Sequence, residues 1–542
     1  MNNPVREASK IVQEMVDGYG DKFPGLSVLF DIVPSDEQSK RCHEPIPALG
    51  RYQKNVIFLE DVTSGKAIGL TRFKVAKEYL RCLNEFLTSY EGRGADEKIV
   101  SHLADDDIQA IMLLGVTAVE VFQAEQIESV TEHDTAAATD YLKLLIATRL
   151  PHLAPYIEAV HFACTSEDNM GNVYGLIGNR LVFGYFFDAI SDYCLNLIAY
   201  SRKHSRSQQV PLYLPALTHQ QAAEPISFDI IQANTIEGIL KIMNDLTGPS
   251  ELTRPFSGKL GGATGTLICH YAAYPDADWH TFAHDFVIGL GLSYSHRTYQ
   301  CVTYAREIQI FVMIANILTL VEKATKDFIS HASCPAQFFV KQKKAGSKGS
   351  SIMPNKSNAW SMEGAIPMLR EARSALFSIA ESLPVYPHQG DMARSYIFRN
   401  LGSAFMPIFI ALNRITSEMN SYVPNLPKIN AFFHEYPGMS GSALQTVLKR
   451  MKIPGDAYRE IQEISINHDG SYANHDQFRS GLEAKIEKFN LSSVQRDELL
   501  NLLNPGYLLK EAQSAAEDDL DCHALVLEDY KILAAKYSQS TY

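Results

Sequence analysis

The densest run of chemistry-bearing side chains is 341–358, Lys-Gln-Lys-Lys-Ala-Gly-Ser-Lys-Gly-Ser-Ser-Ile-Met-Pro-Asn-Lys-Ser-Asn. Four lysines, two glycines and three serines precede Ile352, so the segment has almost nothing with which to bury itself. Between two helical stretches it is either a solvated linker or a loop that closes over an anionic ligand. Other apparent motifs fail on spacing. Gly346-Ser347-Lys348-Gly349 has the look of a phosphate loop but lacks G-x-x-x-x-G-K-[ST]. His280 and His284 enclose Thr281-Phe282-Ala283, without the glutamate of H-E-x-x-H and without a third ligand, so they read as a helix face and no metal is expected. Gly438-Met439-Ser440-Gly441 lacks the spacer of a nucleophile elbow and reads as a turn.

The continuation Gly349-Ser350-Ser351-Ile352-Met353-Pro354-Asn355-Lys356-Ser357-Asn358 matches the signature G-S-S-x-M-P-x-K-x-N at every fixed position. On these residues the chain is identified as a member of the fumarase/aspartase superfamily. Two further blocks resemble its adenylosuccinate-lyase branch. Thr165-Ser166-Glu167-Asp168, after His161-Phe162-Ala163-Cys164, resembles T-S-E-D, and Thr218-His219-Gln220-Gln221 resembles T-H-G-Q. Gly258–Gly265, Ala272–Pro275 with Trp279-His280, and Phe398–Gly402 are similar to the bacterial form. The resemblance covers about 160–505; before that it rests on Gly50-Arg51-Tyr52.

The resemblance implies β-elimination of fumarate from adenylosuccinate to give AMP, and from the succinyl-carboxamide ribotide of purine synthesis. Such a reaction removes a carbon-bound proton beside a carboxylate, stabilises the resulting carbanion and protonates the departing nitrogen. Ser350 falls at the family's base, and a serine serves only if its alkoxide is stabilised by amides or a cation. Lys356 supplies positive charge near the developing anion and Asn358 a neutral donor. His219 is the expected proton donor, since imidazole ordinarily titrates near neutral pH. Thr165, Ser166, Thr218 and Gln300 fit as donors to the succinyl carboxylates; Arg51, Tyr52, Ser395 and Arg399 are candidates for the nucleotide phosphate. No cofactor is implied. The partners implied are a succinyl-purine nucleotide and further copies of the chain, in a homotetramer with a 20-helix core and active sites built from three subunits.

Departures from the pattern are numerous. The branch's N-H-D block is expected before Ala118-Val119-Glu120, where the chain reads Leu113-Leu114-Gly115-Val116-Thr117. Gln220 replaces a glycine, Leu217 and Gly390 replace arginines, and Asn169-Met170-Gly171-Asn172 replaces I-N-N. The succinyl end is therefore better kept than the nucleotide end. Two other functions stay open: a lyase of the same mechanism on a different fumarate adduct, and an inactive paralogue with a binding role.

The elements that must position these residues are helical. Apolar residues recur at three- and four-residue spacing near 71–92, 105–128 and 136–150. Stretches 173–203, 228–246, 280–291, 304–330, 358–382 and 396–420 read as long helices, and 304–330 is apolar nearly all round, hence buried. Residues 427–542 read as shorter helices with turns at Pro437-Gly438, Pro454-Gly455 and Pro505-Gly506. The expected fold is mostly α and fumarase/aspartase-like, with a mixed or helical unit at 1–154, a central long-helix bundle at 155–425 and a helical unit at 426–542. At 542 residues, 46% hydrophobic and 20% charged, the chain has an ordinary globular balance. A net charge of −13 disfavours generic binding of nucleic acid or anionic membrane. Eight cysteines without a C-x-x-C pair, no leader-like N-terminus and only a 14-residue apolar run at Ile308–Val321 give the expectation of a cytoplasmic protein with no membrane partner.

Overall fold

The computed structural model describes residues 4–18, 25–33, 52–205, 211–248, 255–342, 350 and 352–539. Helices dominate, and the strands among the described residues make three two-stranded pieces. The principal elements, in chain order, are α1 (Gly65–Thr88), α2 (Ala118–Thr131), α3 (Asp134–Arg149), α4 (Ser166–Asn179), β1 (Tyr213–Thr218) and β2 (Gln221–Ser227). There follow α5 (Phe228–Thr247), α6 (Ala305–Ala332), α7 (Trp360–Ser382), α8 (Ala393–Arg399), α9 (Leu401–Met419) and α10 (Lys510–Ser538). Helix α4 runs on through a wide π-helical stretch, Arg180–Phe186, into Phe187–Ser205.

The bundle is built by α7 against α6 and α9, α6 against α5, and the extension of α4 against α5 and α9. In α6, Ile310, Phe311, Ile314, Ile317, Leu318 and Val321 are all fully buried, as its all-round apolar character requires. At about 1.5–3 kcal/mol for each large apolar side chain removed from water, these side chains together contribute on the order of 10 kcal/mol to the core.

Three differences from the sequence reading have local causes. The periodic stretch 105–128 is two helices: Gly115 takes a left-handed φ of 63°, and Thr117 with Glu120 forms a capping box that starts α2 afresh. The stretch expected at 396–420 breaks at Asn400 into α8 and α9. Residues 510–538 form one 29-residue helix rather than short ones, because Leu520, Leu527, Tyr530 and Ala534 bury a single stripe against the extension of α4 and against α5. Between α9 and α10, Leu444, Leu448, Phe478, Leu482 and Leu499 close a separate small core.

Three helical stretches, Ser166–Ser205, Ala305–Ala332 and Ala393–Met419, are long and apolar enough to cross a membrane by length and composition, which revises the 14-residue estimate. Within this one chain 67%, 50% and 61% of their apolar windows are already buried.

Candidate active site

Thr165 caps the start of α4, and two non-glycine residues just before it, His161 and Ala163, sit in left-handed backbone (φ 65° and 57°). That strained approach is held by the Tyr79 hydroxyl, which donates to the carbonyl of Phe162 at 2.7 Å. The Thr165 N–H donates to Asp168 Oδ2 at 2.8 Å, and the Gly261 and Gly262 amides donate to the same carboxylate at 2.9 and 3.0 Å. Lys259 Nζ lies 2.8 Å from Asp168 Oδ1, both side chains being essentially inaccessible. Burial pushes the Asp168 carboxyl up, but Lys259 and the amides outweigh it and hold the group below the usual carboxylate range.

Lys259 Nζ also donates to the carbonyls of Gln300 (3.0 Å) and Gly262 (3.3 Å). One buried ammonium thus joins the Thr165 cap, the glycine turn and the Gln300 loop. Gln300 Nε2 in turn donates to Thr165 Oγ1 at 3.4 Å, so two neutral donors meet at one point. Gly265 is required here: its φ is 78°, and a Cβ would lie 1.8 Å from the Thr298 carbonyl oxygen. A Cβ on Gly390 would lie 2.7 Å from Gln300 Oε1, so Gln300 packs against the position where an arginine was expected. An arginine does occur one helical turn on, at Arg394, buried against Glu167 with Nε 2.8 Å from Oε2.

Beside Ser166 stands a pair that the sequence reading sought in the wrong place. Glu132-His133-Asp134 differs from N-H-D only in its first residue, and it lies at the start of α3, not before Ala118. The Ala136 amide donates to His133 Nδ1 at 3.3 Å, so the ring's proton is on Nε2, which donates to Ser166 Oγ at 3.3 Å. Asp134 Oδ2 accepts from two guanidinium groups at 2.5 Å each, Arg72 of α1 and Arg399 of α8. Burial pushes the Asp134 carboxyl up; Arg72, Arg399 and Thr135 more than reverse this and hold it low. A cleft of about 360 Å³ opens here between α1, α2 and the start of α3. Ser395, one turn before Arg399, is partly buried, and its carbonyl accepts from the Tyr174 hydroxyl at 3.4 Å. Arg72 carried no motif that marks it as a site residue, and Lys259, though inside the similar block Gly258–Gly265, was not singled out; the fold reveals the part each plays.

The signature segment lies elsewhere. Ser350 Oγ accepts from the amides of Met353 (3.1 Å) and Ile352 (3.4 Å), the amide environment that a serine alkoxide needs. Lys356 is exposed, its N–H donating to the Met353 carbonyl. The Asn358 carbonyl accepts from Lys341 Nζ (3.4 Å), which pairs with Glu418 at 2.6 Å near the end of α9. Tyr52 is at this end too, its hydroxyl accepting from Arg414, whose guanidinium lies 5.5 Å from the Trp360 ring centre. Arg51 lies outside the described residues.

His219 and Gln220 form the two-residue turn between β1 and β2, where Thr218 pairs with Gln221. Both turn residues have left-handed φ (50° and 62°), so the missing glycine leaves Gln220 in a conformation that glycine would adopt without penalty. Thr218 and His219 are exposed, and the hairpin packs on the C-terminal unit, Tyr472 donating to Gln221 at 3.2 Å. The structure therefore groups Thr165, Ser166, Gln300 and Arg399 at one place, holds Asn358 and Tyr52 beside Lys341 and Arg414 toward the end of α9 with Ser350 and Lys356 in the segment leading to Asn358, and puts Thr218 with His219 on the β1–β2 hairpin.

The mostly helical bundle and the Gly349–Asn358 block are those of a lyase of the fumarase/aspartase superfamily. A family model described as "Lyase" matches residues 82–372, and the chain belongs to that family, as a divergent member. It is 27% identical to an adenylosuccinate lyase of Legionella pneumophila over 453 residues, covering 82% of this chain and 94% of that protein. It is likewise 27% identical to the adenylosuccinate lyase of Escherichia coli K12 over 452 residues, covering 82% and 92%. In fold it is similar to the β-carboxy-cis,cis-muconate cycloisomerase of Acinetobacter calcoaceticus (TM-score 0.57, 14% identity, 87% of this chain and 97% of that one). It is also similar to the 3-carboxy-cis,cis-muconate lactonizing enzyme of Pseudomonas putida (TM-score 0.59, 13% identity, 87% and 96%).

Proposed function

We propose that the chain eliminates fumarate from adenylosuccinate, and from the succinyl-carboxamide ribotide, as a cytoplasmic homotetramer with no cofactor and no nucleic-acid or membrane partner. The observation that carries this reading is the meeting of Thr165, Ser166 and Gln300, neutral donors suited to carboxylates, beside a cleft reached by Arg399. Relatives named adenylosuccinate lyase that span most of the chain support it.

In this reading Ser350, its oxyanion stabilised by the Ile352 and Met353 amides and by Lys356, removes the proton from the carbon beside the succinyl carboxylate. Thr165, Ser166, Thr218, Gln300 and Asn358 hold the carboxylates as negative charge builds, and His219 protonates the nitrogen as the C–N bond breaks. Helix α9 separates Arg399, just before its first residue, from the Glu418–Lys341 anchor of the signature segment. At 1.5 Å per residue its 19 residues span roughly 28 Å, too far for one substrate to touch both ends within a chain. In this reading other copies of the chain complete the site and cover the part of α6's apolar window that one chain leaves unburied.

The test is fumarate release from adenylosuccinate, the succinyl-carboxamide ribotide, argininosuccinate and aspartate in parallel. Release from the two purine intermediates is the expected result. Release from argininosuccinate or aspartate alone would move the chain to a different fumarate adduct, and silence with all four in a folded tetramer would refute the lyase assignment to this substrate class.

A further inference from the structure

Residues 295–304, which carry Gln300, form neither helix nor strand, so Gln300 has no regular backbone ladder to hold it. Its bond to Thr165 Oγ1, at 3.4 Å, is long and does not fix it alone. Three distant groups do. Lys259 Nζ donates to the Gln300 carbonyl at 3.0 Å, the Gln300 N–H donates to the Gln389 carbonyl at 3.1 Å, and the Tyr386 hydroxyl donates to the Val302 carbonyl at 3.2 Å. Two of these three come from 383–392, a strap that likewise forms neither helix nor strand. The strap lies tightly on the Gln300 loop: a Cβ on Gly390 would come within 2.7 Å of Gln300 Oε1 and 3.0 Å of Cys301 Sγ.

The strap needs a hold of its own, and Arg394 provides one. It lies in the first turn of α8, directly after the strap, with Nε 2.8 Å from Glu167 Oε2, and the two side chains are only 6% and 8% exposed. Burial disfavours the charge on Arg394, but Glu167 outweighs it and the guanidinium stays a cation. Glu167 and Asp168 are neighbours in the first turn of α4, next to Thr165 and Ser166, and each has its own buried cation from another part of the chain. Lys259 ties the glycine turn to this point and Arg394 ties the strap to it. A buried ion pair adds little stability over apolar packing, so its value here lies in the geometry it fixes. We propose that Arg394 is a positioning residue for the carboxylate-binding donors: by holding Glu167 it locks the strap against α4 and keeps Gln300 in register with Thr165 and Ser166, without touching the substrate. This rests on the succinyl reading above. The charge that the sequence pattern placed at 390 is supplied one turn on, where it acts through Glu167.

The test is calorimetric titration of the full-length protein with fumarate and with AMP. Displacing a binding group by about 1 Å costs up to roughly a hundredfold, so Arg394→Gln should weaken fumarate at least tenfold. AMP should change less than threefold, because α8 keeps Arg399 on Asp134 and the Ser395 carbonyl on Tyr174. Arg394→Gln combined with Glu167→Gln strands no charge and serves if the single variant fails to fold; it should show the same split. Exchange of the Gln300 amide with deuterium should quicken in step. Fumarate affinity within threefold of wild type in both variants, or equal loss of fumarate and AMP, overturns the inference. If wild-type protein binds fumarate and the variants match it, the succinyl reading stands and the inference falls alone. If wild-type protein does not bind fumarate, both fall.

Discussion

Replacing Lys259 by methionine probes whether the buried Asp168–Lys259 pair holds the succinyl-binding end in shape. Methionine keeps most of the stem and deletes the charge 2.8 Å from Asp168 Oδ1. Removing one partner of a buried ion pair is destabilising by about 3–5 kcal/mol, because the other charge is stranded. Asp168 would retain the amides of Thr165, Gly261 and Gly262, so the lower end, about 3 kcal/mol, is expected. If the opening is local, that figure corresponds to roughly a hundredfold faster amide exchange at those three residues, read by mass spectrometry of the peptides that contain them.

The pH dependence adds a second signature. In the wild-type protein the Asp168 carboxyl is depressed, so its contribution is present above the unfolded carboxylate value near 3.9 and is lost as pH falls through the lower folded value. Without Lys259 the same carboxyl is buried with no cation and is raised, so the folded variant binds the proton more readily than the unfolded chain does. The gap between the two proteins should be widest at neutral pH and narrow toward pH about 4. Exchange within about threefold of wild type at neutral pH, or a gap independent of pH, would refute the reasoning.

Three further substitutions test separate links. Ser350→Ala should lower turnover by about 10²–10⁴-fold or more while calorimetry shows substrate affinity little changed; retention of most activity would sink the base assignment. Gly265→Ala forces a Cβ to 1.8 Å from the Thr298 carbonyl oxygen at a φ of 78° and should destabilise by more than about 2 kcal/mol, so an unaltered Tm would contradict the geometry. Gln220→Gly relieves a left-handed non-glycine residue at roughly 1 kcal/mol, partly offset by glycine's chain entropy, and should slow exchange in the β1–β2 hairpin; faster exchange there would count against the turn as the reason.

Much of the fold was legible because long helices announce themselves. The all-round apolar run at 304–330 has no stable place except among other helices, and α6 is found there. Breaks were harder to read, since Gly115 and Asn400 act through local dihedrals that periodicity does not register. The chemistry divided in the same way. Gly349–Asn358 and Thr165-Ser166 stand out as contiguous blocks, whereas Arg72 meets Asp134 across 62 residues and Lys259 meets Asp168 across 91 (259 − 168), pairings that only the packing of α1, α3 and α4 creates. His133-Asp134 is plain in the sequence but out of the expected register, because the Ala-Val-Glu sequence at 118–120 starts a different helix, one earlier in the chain.

The separation of the three residue groups makes a prediction about assembly that no single-chain variant tests. An elimination needs base, acid and carboxylate donors within about 3–3.5 Å of their respective atoms. One chain holds Arg399 and the signature anchor at opposite ends of α9, and His219 at the tip of a hairpin that leans on the C-terminal unit. If each site draws His219 and Ser350 from different copies, two inactive variants, His219→Gln and Ser350→Ala, should restore activity when unfolded together and refolded as mixed oligomers. With random 1:1 mixing, half of the sites receive a native histidine and half of those a native serine, so recovery should approach about one quarter of the wild-type rate. If a single chain supplied both residues, every site would lack one of them and the mixture would stay as inactive as its parents. That outcome, in oligomers shown to be mixed, would require the hairpin and the signature segment of one chain to meet over the substrate.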